Sequence, residues 1–383
     1  MDTIINEIYR LSMSSDRLDD LLPCFVFDRN RFDRNINSFR KSFHKYFDRF
    51  EIAYSTKTNP HPAILKAAKE NGIKIEIVSH YEYDEVAKAG FMPDEVIYNG
   101  VIPHLFSKYT IASHGGKVNV ENIFEMKQIA AIALKEKRKI KIGMRLNINL
   151  HGDNGHSSRF GIVPFSPEFF QFLNLQNDYC MINGVHIHIH GGRDIDSWRT
   201  RAKKAGEVAA YLRSEYIDFG SNIFGFMDER LSEQFNSNIP SVDEYAKAIF
   251  NELGRFYNKM PEIIIEAGTP IVADTVSAVG KVEYIKAGSS TQAVSSCSVY
   301  DFGFFHGSDK KVPVDVIHLS DGNQYNGITI YGYACTEDDV VCESYSGELC
   351  VGDILVFRNL GSYAYSLCSD FIKPKLKLYE LIC

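Results

Sequence analysis

The sequence predicts a (β/α)8 barrel of the TIM type, followed by an antiparallel β-domain built as a barrel or a sandwich. Short strand-forming runs alternate with helical patterns through most of the chain. This alternation is typical of a parallel sheet with crossover helices, and eight strands fit a closed barrel. After about Asp274 the helical patterns become rare, and strands separated by turn signals follow one another.

Eight strand-forming runs define the predicted barrel, which we place at residues 25–274. They are “FEIAYSTK”, “IKIEIVS”, “EVIYNG”, “KVNVEN”, “KIGMRLNI”, “GVHIHIH”, “EYIDFG” and “EIIIEAG”. The helical segments between them are “HPAILKAAKEN”, “YEYDEVAKAG”, “HLFSKYTIAS”, “FEMKQIAAIALKEK”, “PEFFQFLNL”, “WRTRAKKAGEVAAYLR” and “VDEYAKAIFNELGRFY”. Apolar residues recur in these segments at steps of three and four, as on the buried face of a helix.

The β-domain is predicted at residues 275–383, and residues 1–24 are expected to pack on it. Its strand-forming runs are “VSAVGKVEYIKA”, “SSCSVYDFG”, “PVDVIHLS”, “GITIYGYAC”, “VVCESYSGELCVGDILVFRNLG” and “PKLKLYELIC”. Turn signals separate these runs, and few helical patterns interrupt them, which indicates an antiparallel domain.

The composition excludes several classes of protein. The 383 residues are 45% hydrophobic, enough for a sizeable core, and the net charge of -7 argues against a nucleic-acid partner. The amino-terminal “MDTIINEIYR” lacks a secretory pattern, and no apolar run reaches transmembrane length, so we expect a cytoplasmic protein without a membrane partner. The 8 cysteines are scattered without C-x-x-C spacing, so we expect reduced thiols and predict no metal site.

Polar side chains stand at the carboxyl ends of the predicted barrel strands. In chain order they are Lys57, Ser79, Asn99, Glu121, Arg145, His188, the “DFGSN” turn at residues 218–222, and Glu266. Because barrel enzymes bind and react at this end of the strands, the set predicts an active site. Strand-end solvation and helix capping are the alternative, and they suffice for Ser79 and Asn99 taken singly.

The order of six motifs resembles the fold-type III pyridoxal-phosphate decarboxylases, which include diaminopimelate and ornithine decarboxylases and share a barrel with alanine racemase. The motifs are “AYSTKTN”, “VHIHIHG”, “IDFGSN”, “IIEAGTPIVA”, “YACTEDD” and “LGSYAYS”. The resemblance covers nearly the whole chain. It implies that the cofactor is pyridoxal 5′-phosphate and that Lys57 holds it through a Schiff base.

Glu266 matches the family's carboxylate that pairs with the pyridine nitrogen of the cofactor. A glutamate at the end of the apolar run “EIIIEAG” is costly to bury unless it has such a partner. In “HIHIH”, the strand period of two puts His186, His188 and His190 on one face, and all three could simply fill the barrel interior. The match to the family motif implies that His188 is the histidine that stacks on the cofactor ring.

The cofactor phosphate is expected over the loops after the seventh and eighth strands, where backbone N–H groups collect. The candidate residues are Gly220, Ser221, Asn222, Gly268 and Thr269 and, through the family match, Tyr363 of the β-domain. The family usually has three glycines in the first loop and an arginine where Thr269 stands. The expected substitutes are the hydroxyls of Ser221 and Thr269 and the amide of Asn222. Arg145 and Glu82 are candidates for the floor of the same site.

Cys335 matches the cysteine that protonates the product carbon in the family. Read alone, it would be a buried thiol at the end of a strand, but the flanking Gly332 and the acidic “EDD” run favour a loop. In relatives this cysteine reaches the active site from the partner subunit, so the resemblance implies a head-to-tail homodimer with shared sites. The residues after it, Thr336, Glu337 and Asp338, are expected to contact the substrate.

The resemblance implies decarboxylation of an amino acid at its α-carbon. Relatives often hold the far end of the substrate with charges at two positions that are neutral and small here, Thr269 and Thr336. We therefore expect neither meso-diaminopimelate nor ornithine, but a larger or conjugated amino acid of specialised metabolism. Alternatively, Asp338, Asp339 or Lys310 supplies the missing charge.

Two other functions remain open at the level of the sequence. One is an amino-acid racemase or epimerase on the same fold, which would lose the α-hydrogen instead of CO2. The other is a catalytically silent relative that binds a partner protein. Such proteins typically lack the lysine or the cysteine, whereas this chain has both Lys57 and Cys335.

Overall fold

The computed structural model describes residue 6 and residues 21–150, 158–235, 238–288 and 291–381. These residues form two compact units. The barrel unit contains the described residues from 36 to 224 and residues 238–270. The β-unit contains the described residues up to 35, those from 225 to 235, and those from 271 onward. These limits differ from the predicted 25–274 and 275–383, because residues 25–35 and the segment after residue 224 belong to the β-unit. The predicted packing of residues 1–24 falls mostly outside the described residues.

Eight parallel strands close into a barrel, as the alternation of elements predicts. The described chain begins with strand β1 (Cys24–Asp28) and helix α1 (Arg29–His44). The barrel strands are β2 (Phe50–Ser55), β3 (Lys74–Ile77), β4 (Val96–Tyr98), β5 (Lys117–Val120), β6 (Ile140–Arg145), β7 (Cys180–His186), β8 (Tyr216–Asp218) and β9 (Glu262–Ile265). Each pairs with its neighbours in chain order, and β9 pairs with β2.

The helices between these strands begin at residues that satisfy their first N–H groups. In chain order they are α2 (Pro62–Glu70), α3 (His80–Lys88), α4 (Leu105–Ser113), α5 (Ile123–Glu136), α6 (Pro167–Leu173), α7 (Ile195–Leu212), α8 (Glu229–Ser232) and α9 (Val242–Leu253). The side chains that cap α3, α5, α6, α7 and α9 are Ser79, Asn122, Ser166, Asp194 and Ser241. Helix capping therefore accounts for Ser79.

The barrel interior has an apolar layer, and a polar layer follows it towards the carboxyl ends of the strands. Ala53, Ile97, Tyr216 and Ile264 pack together in the apolar layer. Because strand side chains alternate between faces, the residues two positions further on point into the same interior. These residues are Ser55, Asn99, Asp218 and Glu266, and all four are buried. The strand period thus brings together polar groups that are far apart in the sequence.

Two glycines make room for the large ring in the apolar layer. A Cβ atom at Gly184 would lie 2.1 Å from the ring of Tyr216, and one at Gly143 would lie 2.4 Å from its hydroxyl oxygen. Tyr216 donates a 3.0 Å hydrogen bond to Asn119 Oδ1. The ring therefore fills the space beneath the polar layer and also supports it.

The β-unit is a mixed sheet. Its strands are β1, β10 (Val276–Lys286), β11 (Gln292–Ser295), β12 (Val314–Ile317), β13 (Asn323–Tyr331), β14 (Val340–Leu349), β15 (Ile354–Phe357) and β16 (Lys377–Leu381). Short helices α10 (Thr269–Val272) and α11 (Ala364–Leu367) and 3-10 turns at Ala273–Thr275 and Val299–Phe305 complete this part of the chain. Most pairs are antiparallel as predicted, but β1 with β16 and β11 with β13 are parallel. Among the residues described, no helix combines the length and apolar character needed to cross a bilayer.

Candidate active site

A cleft of about 670 Å3 opens beside the residues that follow several barrel strands. Lys57 follows β2 and lines this cleft together with Arg145 at the end of β6 and His188 and His190 after β7. The cleft therefore lies at the end of the barrel where the sequence predicts the active site.

Lys57 lies in a 3-10 turn, Thr56–Thr58, directly after β2. Its Nζ is 2.6 Å from Glu76 Oε2 and 2.8 Å from Ser55 Oγ. The side chain of Glu76 is buried at 1% exposure, whereas that of Lys57 is 36% exposed. The amine is thus held by a buried carboxylate but remains accessible from the cleft.

An amide links the carboxylate at Lys57 to Glu266. Asn99 Nδ2 donates to Glu76 Oε1 at 3.1 Å and to Glu266 Oε1 at 2.5 Å. The Oδ1 atom of Asn99 accepts a 2.8 Å hydrogen bond from Asn119 Nδ2. Lys57 and Glu266, which the sequence assigned to one site, are therefore joined by a continuous line of hydrogen bonds.

Glu266 is an ionised carboxylate in a buried setting. Burial would raise its pKa, but the neighbouring His186 and then Lys57 hold the pKa below its usual range. Its Oε2 atom is 3.5 Å from His186 Nε2. Burial, and then the charge of Glu266, raises the pKa of Asp218 well above its usual range. The lowered pKa favours the charged form of Glu266, and the raised pKa favours the neutral form of Asp218, which also accepts a 3.0 Å hydrogen bond from Gly220 N.

The three histidines of “HIHIH” have different surroundings. His186 is buried below the cleft, and neither ring nitrogen makes a hydrogen bond within the described part of the chain. His188 faces the cleft, and its Nδ1 accepts a 3.3 Å hydrogen bond from Ser221 N. Burial, and then the charge of Lys57, lowers the pKa of His188 to about 3, so its ring is neutral. His190 is exposed at the rim.

The loop after β8 packs closely on His188. Gly220 has a left-handed backbone with φ 58, and a Cβ atom there would lie 2.6 Å from His188 Nδ1. The Asn222 amide, expected to contact phosphate, donates from Nδ2 to Gly191 O at 2.5 Å and accepts at Oδ1 from Arg193 Nε at 2.8 Å. The Asn222 side chain therefore joins two loops of the barrel.

The loop after β9 lies against the turn that carries Lys57. A Cβ atom at Gly268 would lie 2.0 Å from Thr58 Oγ1, so only glycine fits there. Thr269 begins α10 and is half-buried. It brings a hydroxyl but no charge to this part of the site.

Arg145 and Glu82, the candidates for the floor, have separate partners. Arg145 NH1 is 2.9 Å from Glu121 Oε2, and the guanidinium lies 4.5 Å from the ring centre of Phe160. Glu82 Oε2 accepts a 2.6 Å hydrogen bond from Val78 N. Burial, and then the charge of Glu76, raises the pKa of Glu82 to about 7.

A buried ion pair supports the ends of β4 and β5. Lys108 Nζ contacts a carboxylate oxygen of Glu125 and donates to Asn99 O at 3.1 Å and Asn119 O at 3.2 Å. Both members of the pair have 0% side-chain exposure. Glu125 also accepts a 2.8 Å hydrogen bond from Glu121 N. This pair thus fixes the backbone that carries the site amides and the partner of Arg145, and the sequence pattern did not reveal it.

The remaining predicted residues lie in the β-unit. Cys335 is exposed, in the loop between β13 and β14, which agrees with the loop indicated by its flanks. Thr336 Oγ1 is 3.3 Å from Tyr300 OH, and Glu337 and Asp338 are exposed. Tyr363 precedes α11 in a left-handed conformation with φ 58.

The groups in the barrel unit fit pyridoxal 5′-phosphate. An accessible lysine amine can hold an aldehyde, an ionised buried carboxylate can pair with a pyridine nitrogen, and a neutral imidazole can stack on an aromatic ring. Lys57, Glu266 and His188 supply these groups.

Comparison with known proteins gives the same answer. Residues 32–273 match the family model for the pyridoxal binding domain of pyridoxal-dependent decarboxylases. The diaminopimelate decarboxylase of Methanothermobacter thermautotrophicus is 24% identical over 379 residues, which cover 91% of this chain and 84% of that protein. The diaminopimelate decarboxylase of Helicobacter pylori strain J99 is 24% identical over 381 residues, which cover 92% and 89%.

Solved structures share the fold. The diaminopimelate decarboxylase of M. jannaschii superposes with a TM-score of 0.81 at 20% identity, covering 94% of this chain and 87% of that one. The lysine/ornithine decarboxylase of Vibrio vulnificus gives a TM-score of 0.78 at 18% identity and covers 98% of both chains. The chain therefore belongs to the family of pyridoxal-dependent amino-acid decarboxylases, and its cofactor is pyridoxal 5′-phosphate.

Proposed function

We propose that the enzyme decarboxylates an amino acid at the cleft, with Lys57 holding the cofactor, Glu266 pairing with its pyridine nitrogen and His188 stacking on its ring. The line of hydrogen bonds from Lys57 through Glu76 and Asn99 to Glu266 carries this assignment. When bound, pyridoxal 5′-phosphate supplies an electron sink for the electron pair that remains when CO2 leaves. The cleft residues position the substrate against the cofactor.

Glu266 maintains the charge on which this chemistry depends. A carboxylate that stays ionised favours the protonated form of a pyridine nitrogen beside it. Asn99 holds one of its oxygens at 2.5 Å, and His186 faces the other at 3.5 Å. The raised pKa of Asp218 disfavours a second negative charge at this point.

Glu76 and Ser55 position the amine of Lys57. An ammonium must lose a proton before it can attack a carbonyl carbon. Glu76 Oε2, at 2.6 Å, is a suitable acceptor, and it holds the nitrogen near the cleft. The partner carboxylate therefore serves both to orient the lysine and to receive its proton.

We further propose that Cys335 donates the proton to the product carbon, and that it does so in the site of a second copy of the chain. The exposed thiol at a loop end supports this role. The loop is well ordered by Asp339, which accepts hydrogen bonds from Ala334 N at 2.7 Å, Ser298 Oγ at 2.9 Å and Val299 N at 2.8 Å. The arrangement requires a head-to-tail homodimer with two shared sites.

For the substrate, we propose an amino acid other than meso-diaminopimelate or ornithine, made in specialised metabolism. The carboxylate of Asp339 is already bound to its own loop. Lys310 pairs with Asp309 at 2.7 Å, and Lys311 pairs with Glu343 at 2.5 Å. These three side chains are therefore engaged elsewhere, and of the alternatives that the sequence offers for the missing charge the exposed Asp338 remains.

A CO2-release assay tests the proposal directly. Carboxyl-labelled diaminopimelate, ornithine, lysine, arginine and larger conjugated diamino acids should be compared, with Lys57→Ala protein as the inactive control. We expect release from a bulkier substrate and weak turnover of the first two. A kcat/KM of roughly 10⁴ M⁻¹s⁻¹ or more on diaminopimelate or ornithine would contradict the substrate assignment. Conversion of any amino acid to its mirror form without CO2 would contradict decarboxylation.

We also propose a cytoplasmic location. The seven cysteines among the described residues are all free thiols, and free thiols persist in a reducing compartment.

A further inference from the structure

Arg201 is a buried cation behind the two loops that flank His188. It lies on α7 with 0% exposure, and its guanidinium is 4.8 Å from the ring centre of Trp198. Within the residues that the structure describes, no carboxylate lies at ion-pair distance from it, and the nearest acidic influence is the weaker attraction of Asp194, the residue that caps α7. Burial lowers its pKa only to about 10, so it is charged near neutral pH. A buried charge without a counter-charge is costly, and its presence calls for an explanation.

Arg201 binds backbone carbonyls from both loops. Its NH1 donates to Ser221 O at 3.2 Å, and its NH2 donates to Gly191 O at 2.5 Å and Gly192 O at 2.9 Å. These bonds satisfy part of the guanidinium but leave its Nε without a hydrogen-bond partner in the described chain. Because backbone carbonyls carry no net charge, these hydrogen bonds hold the guanidinium against the loops but do not neutralise its positive charge.

The carbonyl contacts also set the direction of the neighbouring N–H groups. In a planar trans peptide, the C=O of one residue and the N–H of the next point in opposite directions. The N–H groups of Gly192, Arg193 and Asn222 therefore point away from Arg201. Those of Gly192 and Asn222 make no hydrogen bond to any part of the protein that the structure describes. Gly192, with φ 60, lines the cleft, and Asn222 has φ 89. Outward N–H groups in such a concave backbone suit an anion.

A second arginine strengthens the link between the loops. Arg193 Nε donates to Asn222 Oδ1, and its guanidinium lies 5.0 Å from the ring centre of Phe224. Asn222 in turn donates to Gly191 O. The two loops are therefore held together by Asn222, with one guanidinium buried behind them and another at their edge.

We propose that Arg201, assisted by Arg193, is a positioning residue for the cofactor phosphate, supplying the positive charge that Thr269 lacks and directing loop N–H groups to the anion. This inference rests on the proposed placement of the cofactor over these loops. The phosphate would provide Arg201 with a counter-charge in addition to the attraction of Asp194. The side chains of Ser221 and Asn222 would then shape the loops, while the backbone of Gly192 and Asn222 binds the anion.

Comparing the binding of two ligands, one with and one without a phosphate group, distinguishes a role of Arg201 in phosphate binding from a purely structural role. Full-length protein is freed of cofactor and titrated with pyridoxal 5′-phosphate and with pyridoxal, which lacks the phosphate. Binding is followed by cofactor absorbance and by the fluorescence of Trp198, the only tryptophan in the sequence. The variants are R201M, R201K and R193Q. R199M is the matched control, since Arg199 is an exposed residue of the same helix paired with Asp196 at 2.8 Å.

We expect R201M to weaken pyridoxal 5′-phosphate binding at least about 10-fold, a loss of about 1.4 kcal/mol, with pyridoxal binding changed less than about 2-fold. R201K should restore part of the lost affinity for pyridoxal 5′-phosphate. R193Q should weaken pyridoxal 5′-phosphate binding less than R201M does, again with little effect on pyridoxal, and R199M should match the wild type. Equal weakening of both ligands, or no change in either, would overturn the inference. If R201M is not recovered folded, R201K and R193Q decide by the same comparison. A wild-type protein that takes up neither ligand contradicts the cofactor assignment instead.

Discussion

The charge of Glu266 can be removed with almost no change in shape by Glu266→Gln. The side chain is 3% exposed, and its Oε1 would still accept from Asn99 Nδ2, now 2.5 Å away. The substitution therefore removes the negative charge and leaves the hydrogen bond that positions the group. The Asn99 contact should hold the new amide in place, so we expect the variant to keep its cofactor.

The expected loss follows from the electrostatics of the buried layer. Opposite unit charges about 4 Å apart attract by about 4 kcal/mol at an effective dielectric constant of 20. Only the part of this attraction that becomes stronger in the transition state lowers the activation barrier. Removing a preorganised charged group of this kind typically raises the barrier by about 3 kcal/mol. Glu266→Gln should therefore reduce kcat by about 10²-fold or more.

The assay combines cofactor content, measured by absorbance, with the initial rate of CO2 release. Glu262→Gln is the matched control, because Glu262 begins the same strand, β9, and pairs with Lys117 at 3.3 Å outside the polar layer. The control should retain the wild-type rate within about 2-fold. A fully loaded Glu266→Gln protein with unchanged kcat would refute the role of Glu266 as the partner of the pyridine nitrogen.

Four further predictions follow from the same contacts. Borohydride reduction and peptide mapping should place the cofactor on Lys57, and label on any other lysine would refute that assignment. Mixing Lys57→Ala with Cys335→Ala protein should restore part of the activity, because one site of each mixed dimer then has both groups; no recovery after demonstrated subunit exchange would exclude shared sites. Lys108→Met should lower the free energy of unfolding by about 3–5 kcal/mol, because it leaves a buried carboxylate unpaired; a loss below about 1 kcal/mol in denaturant titration would contradict this. The pKa of His188 is about 3 in the folded protein, compared with about 6.5 in the unfolded chain. Because only the unfolded chain takes up the proton between these two values, the free energy of unfolding should decrease as the pH falls, by about 1 kcal/mol from pH 6.5 to pH 5.5. His188→Asn should remove that dependence, whereas replacing the exposed His190 should not.

The barrel could be predicted from the sequence, and so could Lys57 and Glu266, the two residues at the ends of the line of hydrogen bonds. Alternating strands and helices determine a parallel sheet, and Lys57 and Glu266 stand out as charges at the ends of apolar runs. Glu76 carries the same signal, because it interrupts the apolar run “IKIEIV”, and the reasoning applied to Glu266 would have found it. The bridge through Asn99 was not predictable, since it depends on three strands that only the closed barrel brings together.

Arg201 shows a different limit of sequence reasoning. It lies on the buried face of α7, three residues after Trp198 and four before Ala205, where an amphipathic helix should carry an apolar residue. The break in the pattern was visible, but its partners are backbone carbonyls, which no side-chain pattern reports. The parallel pairs in the β-unit were missed for a similar reason, because strand periodicity does not specify which strands become neighbours.

The interior ring of Tyr216 constrains the order in which this barrel can change during evolution. A side chain introduced at Gly184 would meet the ring at 2.1 Å, and one at Gly143 would meet Asn119 Oδ1 at 2.0 Å. A smaller residue at position 216 must therefore come before any enlargement at position 184. That first step also removes the donor to Asn119, so a neutral route exists only if the polar layer is already supported in another way. Mutational paths through these three positions should consequently run in one direction, and libraries that vary them together should recover combinations that stepwise substitution cannot reach.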